Sequence, residues 1–174
     1  MVKNMDLKLY IRDILNFPSE GIVFKDITPL LKDAKAMQEA IEALLNLVGD
    51  VKIDKVVGME SRGFFFAPLL ASNLNAGFVP IRKPGKLPAE KIAQTYALEY
   101  GSDTLEIHKD AIQKGENVLV HDDVLATGGT ANATCKLIER LGGKIVQCNF
   151  LIELDFLNGK EKLVDYEVRS MLHY

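Results

Sequence analysis

Apolar positions along the chain fall into two kinds of pattern. Leu7, Tyr10, Ile11, Ile14 and Leu15 recur at helical spacing, which predicts a short leading helix over Met5 to Leu15, broken by Pro18 and Gly21. A second helical stripe runs through Met37, Ala40, Ile41, Leu44, Leu45 and Val48. It follows Asp33, whose carboxylate can take the unpaired amides of a first helical turn, and Gly49 ends it. Elsewhere the apolar residues come in short unbroken runs. Val56 and Val57 enter the polar turn Gly58 to Gly63, after which Phe64 to Leu74 returns to helical spacing. Val118 to Val120 enter a second polar turn, then a helix carrying Leu137, Ile138 and Leu141 that closes at Gly142 and Gly143. Phe78 to Ile81 and Ile145 to Leu154 read as further strands.

Short strands that feed turns and helices predict an α/β fold with a central, mostly parallel twisted sheet flanked by helices. Such sheets collect ligands beyond the C-terminal ends of their strands, so both polar turns are expected at one cleft. Between them, Arg82 to Ile92 is polar and interrupted by Pro84, Gly85 and Pro88. It reads as a long lid or excursion, although surface loops of this kind also occur without a catalytic role. Thr95 to Tyr100 and Thr104 to His108 alternate enough to form a small antiparallel pair, turning at Gly101 and Ser102.

Composition narrows the classes. A chain of 174 residues, 48% hydrophobic, suits one domain with a substantial core and shows no linker. A net charge of −3, from 21 basic and 24 acidic side chains, gives no general attraction for nucleic acid or an anionic membrane. Anion binding must therefore be local. No apolar run reaches the roughly 18 residues of a membrane span, and the N-terminus lacks a signal-peptide layout, so a cytoplasmic location is expected. Cys135 and Cys148 sit in apolar segments and read as buried thiols. His108, His121 and His173 lack paired metal-ligand spacing and read as ordinary structural or surface histidines.

The sharpest chemical pattern is the strand end Val118-Leu-Val-His-Asp-Asp-Val-Leu-Ala-Thr-Gly-Gly-Thr-Ala131. Thr127, Gly128, Gly129 and Thr130 bring hydroxyls and approachable amides to a helix start, a sound seat for phosphate. Asp122 and Asp123 would repel an anion unless they accept hydrogen bonds from vicinal sugar hydroxyls, with hydrated Mg²⁺ offsetting charge. The site would then read a ribose 5-phosphate. On spacing alone, the acids could instead cap local amides and the glycines merely turn the chain. In the first polar turn, Arg62 could offer a bidentate fork to phosphate or serve as a surface ion-pair partner.

This strand end resembles the signature of type I phosphoribosyltransferases, and its Asp-Asp-Val-Leu-Ala-Thr-Gly-Gly-Thr form is similar to the adenine-specific branch of that family. Phe17-Pro-Ser-Glu-Gly-Ile-Val-Phe-Lys-Asp-Ile-Thr-Pro29, Gly58-Met-Glu-Ser-Arg-Gly-Phe64, Arg82-Lys-Pro-Gly-Lys-Leu-Pro88 and Tyr96-Ala-Leu-Glu-Tyr-Gly101 extend the likeness over nearly the whole chain, in the family's order. The resemblance implies a single domain over residues 1–174, with a base-binding hood at about 1–32 and a flexible lid at about 82–95. It implies ribose and 5-phosphate contacts from Asp122, Asp123, Ala126, Thr127, Gly128, Gly129 and Thr130. Pyrophosphate would be met by Glu60, Ser61, Arg62, Gly63, Arg82, Lys83 and Lys86, with a non-proline cis peptide in the first turn. Adenine would be met by Phe17, Val23, Phe24 and Lys25, the last departing from the family's usual arginine.

By the same resemblance, Arg62 and Glu99 are catalytic, Glu99 moving the N9 proton. Mg²⁺ is carried mainly by phosphoribosyl pyrophosphate and water, near Asp122 and Asp123. The implied reaction joins adenine to phosphoribosyl pyrophosphate, giving AMP and pyrophosphate, in a homodimer. A hypoxanthine, guanine or xanthine enzyme could keep the phosphate loop and change the base edge. A regulator that senses phosphoribosyl pyrophosphate without turnover could keep it too, but would need a partner-binding or DNA-binding surface.

Overall fold

The strongest apolar runs become the middle of the sheet. The computed structural model describes residues 5–97 and 101–174. In chain order the elements are β1 (Arg12–Leu15), β2 (Val23–Asp26), α1 (Thr28–Lys32), α2 (Ala34–Val48), β3 (Lys55–Met59), α3 (Ala67–Asn73) and β4 (Gly77–Ile81), then β5 (Lys91–Ala97), β6 (Ser102–His108), β7 (Asn117–Leu125), α4 (Gly129–Leu141), β8 (Lys144–Glu153) and β9 (Val168–His173). Two compact units, Met1–Ala43 and Leu44–Tyr174, divide within α2.

In the first unit the leading helix is not formed as expected. Only Leu7–Tyr10 coils, as a 3₁₀ turn in which the Asp6 carboxylate accepts the Lys8 amide at 3.1 Å. The chain then extends into β1 and pairs antiparallel with β2, Arg12 opposite Asp26 and Leu15 opposite Val23. Two cross-strand ion pairs favour that choice: Arg12 Nη2 to Asp26 Oδ2 at 2.6 Å and Lys25 Nζ to Asp13 Oδ1 at 2.7 Å. The expected stripe is not one buried face: Leu7 is buried, Tyr10, Ile11 and Ile14 are half-buried, and Leu15 is 71% exposed. Asp33 does cap α2, its Oδ1 accepting the amides of Lys35 and Ala36 at 3.0 Å each.

In the second unit, β4, β3, β7, β8 and β9 form, in that order, a sheet whose neighbouring strands all run parallel. Val56, Val57, Val118 to Val120 and Phe150 to Ile152 are essentially solvent-free, as residues of a parallel sheet covered on both faces should be. Ala131, Cys135 and Ile138 place the apolar stripe of α4 in that core. Cys135 and Cys148 are both buried with their sulfurs 3.6 Å apart, and their mutual hydrogen bond and burial push the Cys135 thiol far up, which leaves it inert.

Strand β5 begins at Lys91, four residues earlier than the alternation suggested, and pairs with β6 from Lys91–His108 to Ala97–Ser102. Its inner face is Ile92 and Tyr96, which pack on the core, so a stretch assigned to the lid is partly sheet. Strand β9 was not anticipated: Arg169, Ser170 and His173 interrupt its apolar pattern, which an edge position tolerates. Among the described residues no helix is long and apolar enough to cross a membrane. From β3 the chain goes to β4 on one side, while β7 pairs on the other, so the strand order switches between β3 and β7. Their C-terminal ends are where such a sheet opens a crevice.

Candidate active site

Strand β7 outruns β3. The last pair between them is Gly58 with His121, whereas β7 stays paired with β8 as far as Leu125 and Glu153. Asp122 and Asp123 therefore stand beside the turn that leaves β3. The approach is close: a Cβ on Gly63 would lie 2.9 Å from Asp122 Oδ1 and 3.1 Å from the His121 carbonyl oxygen, so only glycine fits there. The Glu60–Ser61 peptide in this turn is cis. Arg62 follows, with Nε 3.0 Å from Asp123 Oδ2.

Asp122 Oδ1 accepts the Asp123 amide at 2.9 Å. Burial and the neighbouring charge of Asp123 push the Asp122 carboxyl well above the ordinary carboxylate range. Asp123, 2% exposed, is also raised by burial, although Arg62 pulls it down. His121 belongs to a different network. Its Nδ1 is 3.0 Å from Asn149 Oδ1, its ring makes an edge contact with Phe66, and burial pushes its pKa down to about 4. It is a neutral structural histidine at neutral pH.

Beyond the acids, Ala126 to Thr130 turn the chain into α4. Gly128 adopts φ +76° at the helix N-cap, and its carbonyl accepts the Asn132 amide at 3.0 Å. The first helical turn leaves amides without intrahelical partners, at the positive end of the helix dipole. A cavity of about 70 Å³ opens here, lined by Asp122, Ala126, Thr127, Gly128, Gly129 and Thr130 among others. The turn is braced from behind by Gly159: a Cβ on Gly128 would meet the Gly159 carbonyl oxygen at 2.3 Å, and one on Gly159 would meet the Ala126 carbonyl oxygen at 2.3 Å.

Basic side chains gather on the other flank. Glu60 Oε2 accepts Arg82 Nε at 3.0 Å and the Lys83 amide at 2.8 Å, tying the β3 turn to the start of the lid segment. Burial raises Glu60, but these donors and the charge of Lys86 outweigh it, and the carboxyl is held below its ordinary range. The Arg82 guanidinium lies 5.8 Å from the Phe64 ring centroid. Lys83 Nζ is paired with Asp103, whose Oδ2 also receives the Tyr96 hydroxyl at 3.3 Å. That hydroxyl is 3.1 Å from Thr130 Oγ1.

Of the residues singled out in the sequence, Glu60 to Gly63, Arg82 and Lys83 are thus joined by direct contacts, Asp122 and Ala126 to Thr130 line one cavity, and Asp123 is paired with Arg62. Phe17, Val23, Phe24 and Lys25 lie on or beside the β1–β2 hairpin of the first unit. There Phe17 and Phe24 stack edge to face at 5.1 Å, with Phe17 half exposed. Glu99 lies outside the described residues. Tyr96, Asp103 and Gly159 were not recognised from sequence. Tyr96 carried a usable signal, its alternation with Ile92, whereas Asp103 and Gly159 reveal themselves only through distant contacts.

The chain belongs to the phosphoribosyl transferase family, whose domain model, described as a phosphoribosyl transferase domain, matches residues 26–172. Within it, the chain is 63% identical over 170 residues to the adenine phosphoribosyltransferase of Christiangramia forsetii, covering 98% of this chain and 99% of that protein. The crystal structure of adenine phosphoribosyltransferase from Rhodothermus marinus superposes with a TM-score of 0.93 at 53% identity, over 97% of this chain and 96% of that one. That of Saccharomyces cerevisiae, complexed with an imino-altritol bisphosphate and adenine, gives 0.90 at 48% identity, over 95% and 96%.

Proposed function

We propose that the protein is an adenine phosphoribosyltransferase, transferring the 5-phosphoribosyl group of phosphoribosyl pyrophosphate to N9 of adenine and releasing AMP and pyrophosphate, a purine-salvage reaction. The observation that carries this reading is that adjacent acids face two turns: Asp122 lines a cavity with the Ala126–Thr130 turn, and Asp123 is paired with Arg62 of the turn after β3. A phosphorylated sugar needs both hydroxyl acceptors and a phosphate seat, and its pyrophosphate leaving group needs cations adjacent to the first and not the second.

In this assignment the 5-phosphate takes the backbone amides of Thr127 to Thr130, and the ribose hydroxyls donate to Asp122 and Asp123. Arg62, Arg82, Lys83 and Lys86 neutralise pyrophosphate, while Glu60 holds Arg82 and Lys83 in place. Ser61 and Gly63 contribute close backbone approach. As the bond from ribose C1 to pyrophosphate lengthens, Arg62 stabilises the departing charge and N9 approaches the opposite face of the sugar. No covalent protein intermediate is required. Glu99 is assigned the N9 proton on the family resemblance. Phe17 and Phe24 supply an apolar surface for the purine, and the backbone at Val23 and Lys25 reads its edge.

Asp122 and Asp123 offer hard oxygen ligands suited to Mg²⁺. Asp123 is already paired with Arg62 and Asp122 Oδ1 with an amide, so the residues fit an ion held mainly by pyrophosphate and water. When bound, Mg²⁺ supplies charge neutralisation at the leaving group. Family likeness supports a cytoplasmic homodimer, which sedimentation would check for its oligomeric part. The function is tested by product formation from phosphoribosyl pyrophosphate across adenine, hypoxanthine, guanine and xanthine, with and without Mg²⁺. AMP from adenine, dependent on Mg²⁺, is expected. Turnover of none of the bases would replace the enzyme by a sensor of phosphoribosyl pyrophosphate.

A further inference from the structure

Lys83 is one of the cations assigned to pyrophosphate, yet in this structure its ammonium is held by a carboxylate of the protein itself. The Asp103 carboxylate that holds it is not free to drift away. It sits on β6 directly opposite Tyr96 of β5, and its Oδ2 accepts the Tyr96 hydroxyl at 3.3 Å. The same hydroxyl is 3.1 Å from Thr130 Oγ1, and the Tyr96 ring packs where a Cβ on Gly129 would be, 3.2 Å from its Cδ2. Asp103 is thereby anchored to the phosphate turn. The Lys83 end is anchored as well, because its amide is bound by Glu60 at 2.8 Å. Both partners are tethered at their backbones; Lys83 holds the Asp103 carboxyl below its ordinary range, and burial would lower Lys83 but the Asp103 contact raises it.

We propose that Asp103 is a positioning residue that competes with pyrophosphate for Lys83, acting as an internal stand-in for the leaving group. This rests on the phosphoribosyl-transfer reading above. An ammonium has one charge to offer, and a carboxylate 27% exposed retains much of it against solvent screening. When pyrophosphate takes Lys83, the Asp103 charge is left with two neutral donors, the Tyr96 hydroxyl and the Thr104 amide. When pyrophosphate leaves, Asp103 recaptures the lysine. Asp103 therefore weakens pyrophosphate binding and favours its release, without touching the reacting atoms.

Calorimetric titration of the whole protein with pyrophosphate in the presence of Mg²⁺ tests this. Asp103→Asn keeps an acceptor for Tyr96 but removes the charge, and should bind pyrophosphate about 3- to 10-fold more tightly than wild type, the scale of a partly buried charge pair. Asp103→Glu, which restores the charge, should return affinity toward wild type. In a Lys83→Gln background the Asp103→Asn gain should disappear, because the competition needs the lysine. A gain of affinity is not what a misfolded variant shows. Weaker binding in Asp103→Asn, or an equal gain with Lys83 absent, would overturn the proposal, the latter by showing that Asp103 repels pyrophosphate directly. A folded wild type with no affinity for Mg²⁺-pyrophosphate would instead remove the functional reading beneath it.

Discussion

The turn after β7 and the turn after β3 end neighbouring strands and serve one candidate site, but they are made of different materials. After β7 the work falls to backbone: Gly128 at φ +76°, the opening amides of α4, and Gly159 wedged behind. Such a seat needs no rearrangement to receive an anion. After β3 the work falls to charged side chains, and three of the four cations are already matched: Arg62 with Asp123, Arg82 with Glu60, Lys83 with Asp103. On the proposed function, one end of the substrate would be met by fixed dipoles and the other by cations exchanged between the protein's carboxylates and pyrophosphate. That suits a substrate whose 5-phosphate stays through the reaction while its pyrophosphate must leave.

The largest effect should come from spoiling the rigid half. Gly128→Ala forces a left-handed backbone on alanine and drives its Cβ into the Gly159 carbonyl, two penalties of about 1 to 3 kcal/mol each. We expect kcat/KM for phosphoribosyl pyrophosphate to fall by about 100-fold or more, with lower stability in urea. Gly115→Ala shares a positive φ, +88°, but its Cβ meets nothing within 4 Å, so it should lose stability alone. Equal activity losses in both variants would remove the special status of the phosphate turn.

Next comes the exchangeable half. Arg62→Gln deletes the cation paired with Asp123, which the proposed function shares with the leaving group. Hydrogen bonds to charged groups are worth about 1.5 to 3 kcal/mol, so kcat/KM for phosphoribosyl pyrophosphate should drop about 10- to 100-fold in steady-state assays. A drop confined to the adenine KM would contradict the placement of Arg62.

A smaller, opposite effect is expected at Asp122. Its carboxyl is raised in the folded protein by burial and by Asp123, so its stabilising contribution is complete below the unfolded value of about 3.8 and is lost as pH rises through the folded value. At neutral pH the charge is a liability that serves the ligand. Asp122→Asn keeps the acceptor for the Asp123 amide, and should stabilise the ligand-free protein by about 0.5 to 2 kcal/mol at pH 7 while crippling turnover. The stability gain should vanish in melting curves recorded near pH 4. A gain that is the same at both pH values would exclude the titration of Asp122 as its cause.

The smallest effect is assigned to Lys25. Adenine presents an N6 donor beside an N1 acceptor, and hypoxanthine reverses both. Two mismatches against backbone at Val23 and Lys25 cost about 1 to 3 kcal/mol each, or about 30-fold to more than 10⁴-fold in kcat/KM. If the backbone reads the edge, as proposed, Lys25→Arg should leave that ratio within about 3-fold. A reversal of base preference in Lys25→Arg would transfer the reading to the side chain.

What was legible in the sequence follows the same divide. The Val118–Ala131 stretch announces itself because strand, acids, glycines and helix are contiguous, and the structure builds β7, the turn and α4 from it in that order. The β1–β2 hairpin does not show in the helical spacing because its determinants are twelve or more residues apart: the Arg12–Asp26 and Asp13–Lys25 pairs lie across a turn. Gly159 was invisible for the same reason, its only local trait being Asn158-Gly159 after a strand. Asp103 looks like any polar strand residue until Lys83 is folded against it, and β9 is an edge strand whose polar residues hide its alternation.

The contrast between the two turns is tested most directly by a crystal structure of the protein with phosphoribosyl pyrophosphate and Mg²⁺. The Ala126–Thr130 backbone should superpose on the present one with the 5-phosphate on its amides, while Arg62 has left Asp123 and Lys83 has left Asp103 for pyrophosphate oxygens. A phosphate turn that rebuilds itself around the ligand, with both ion pairs intact, would contradict the account.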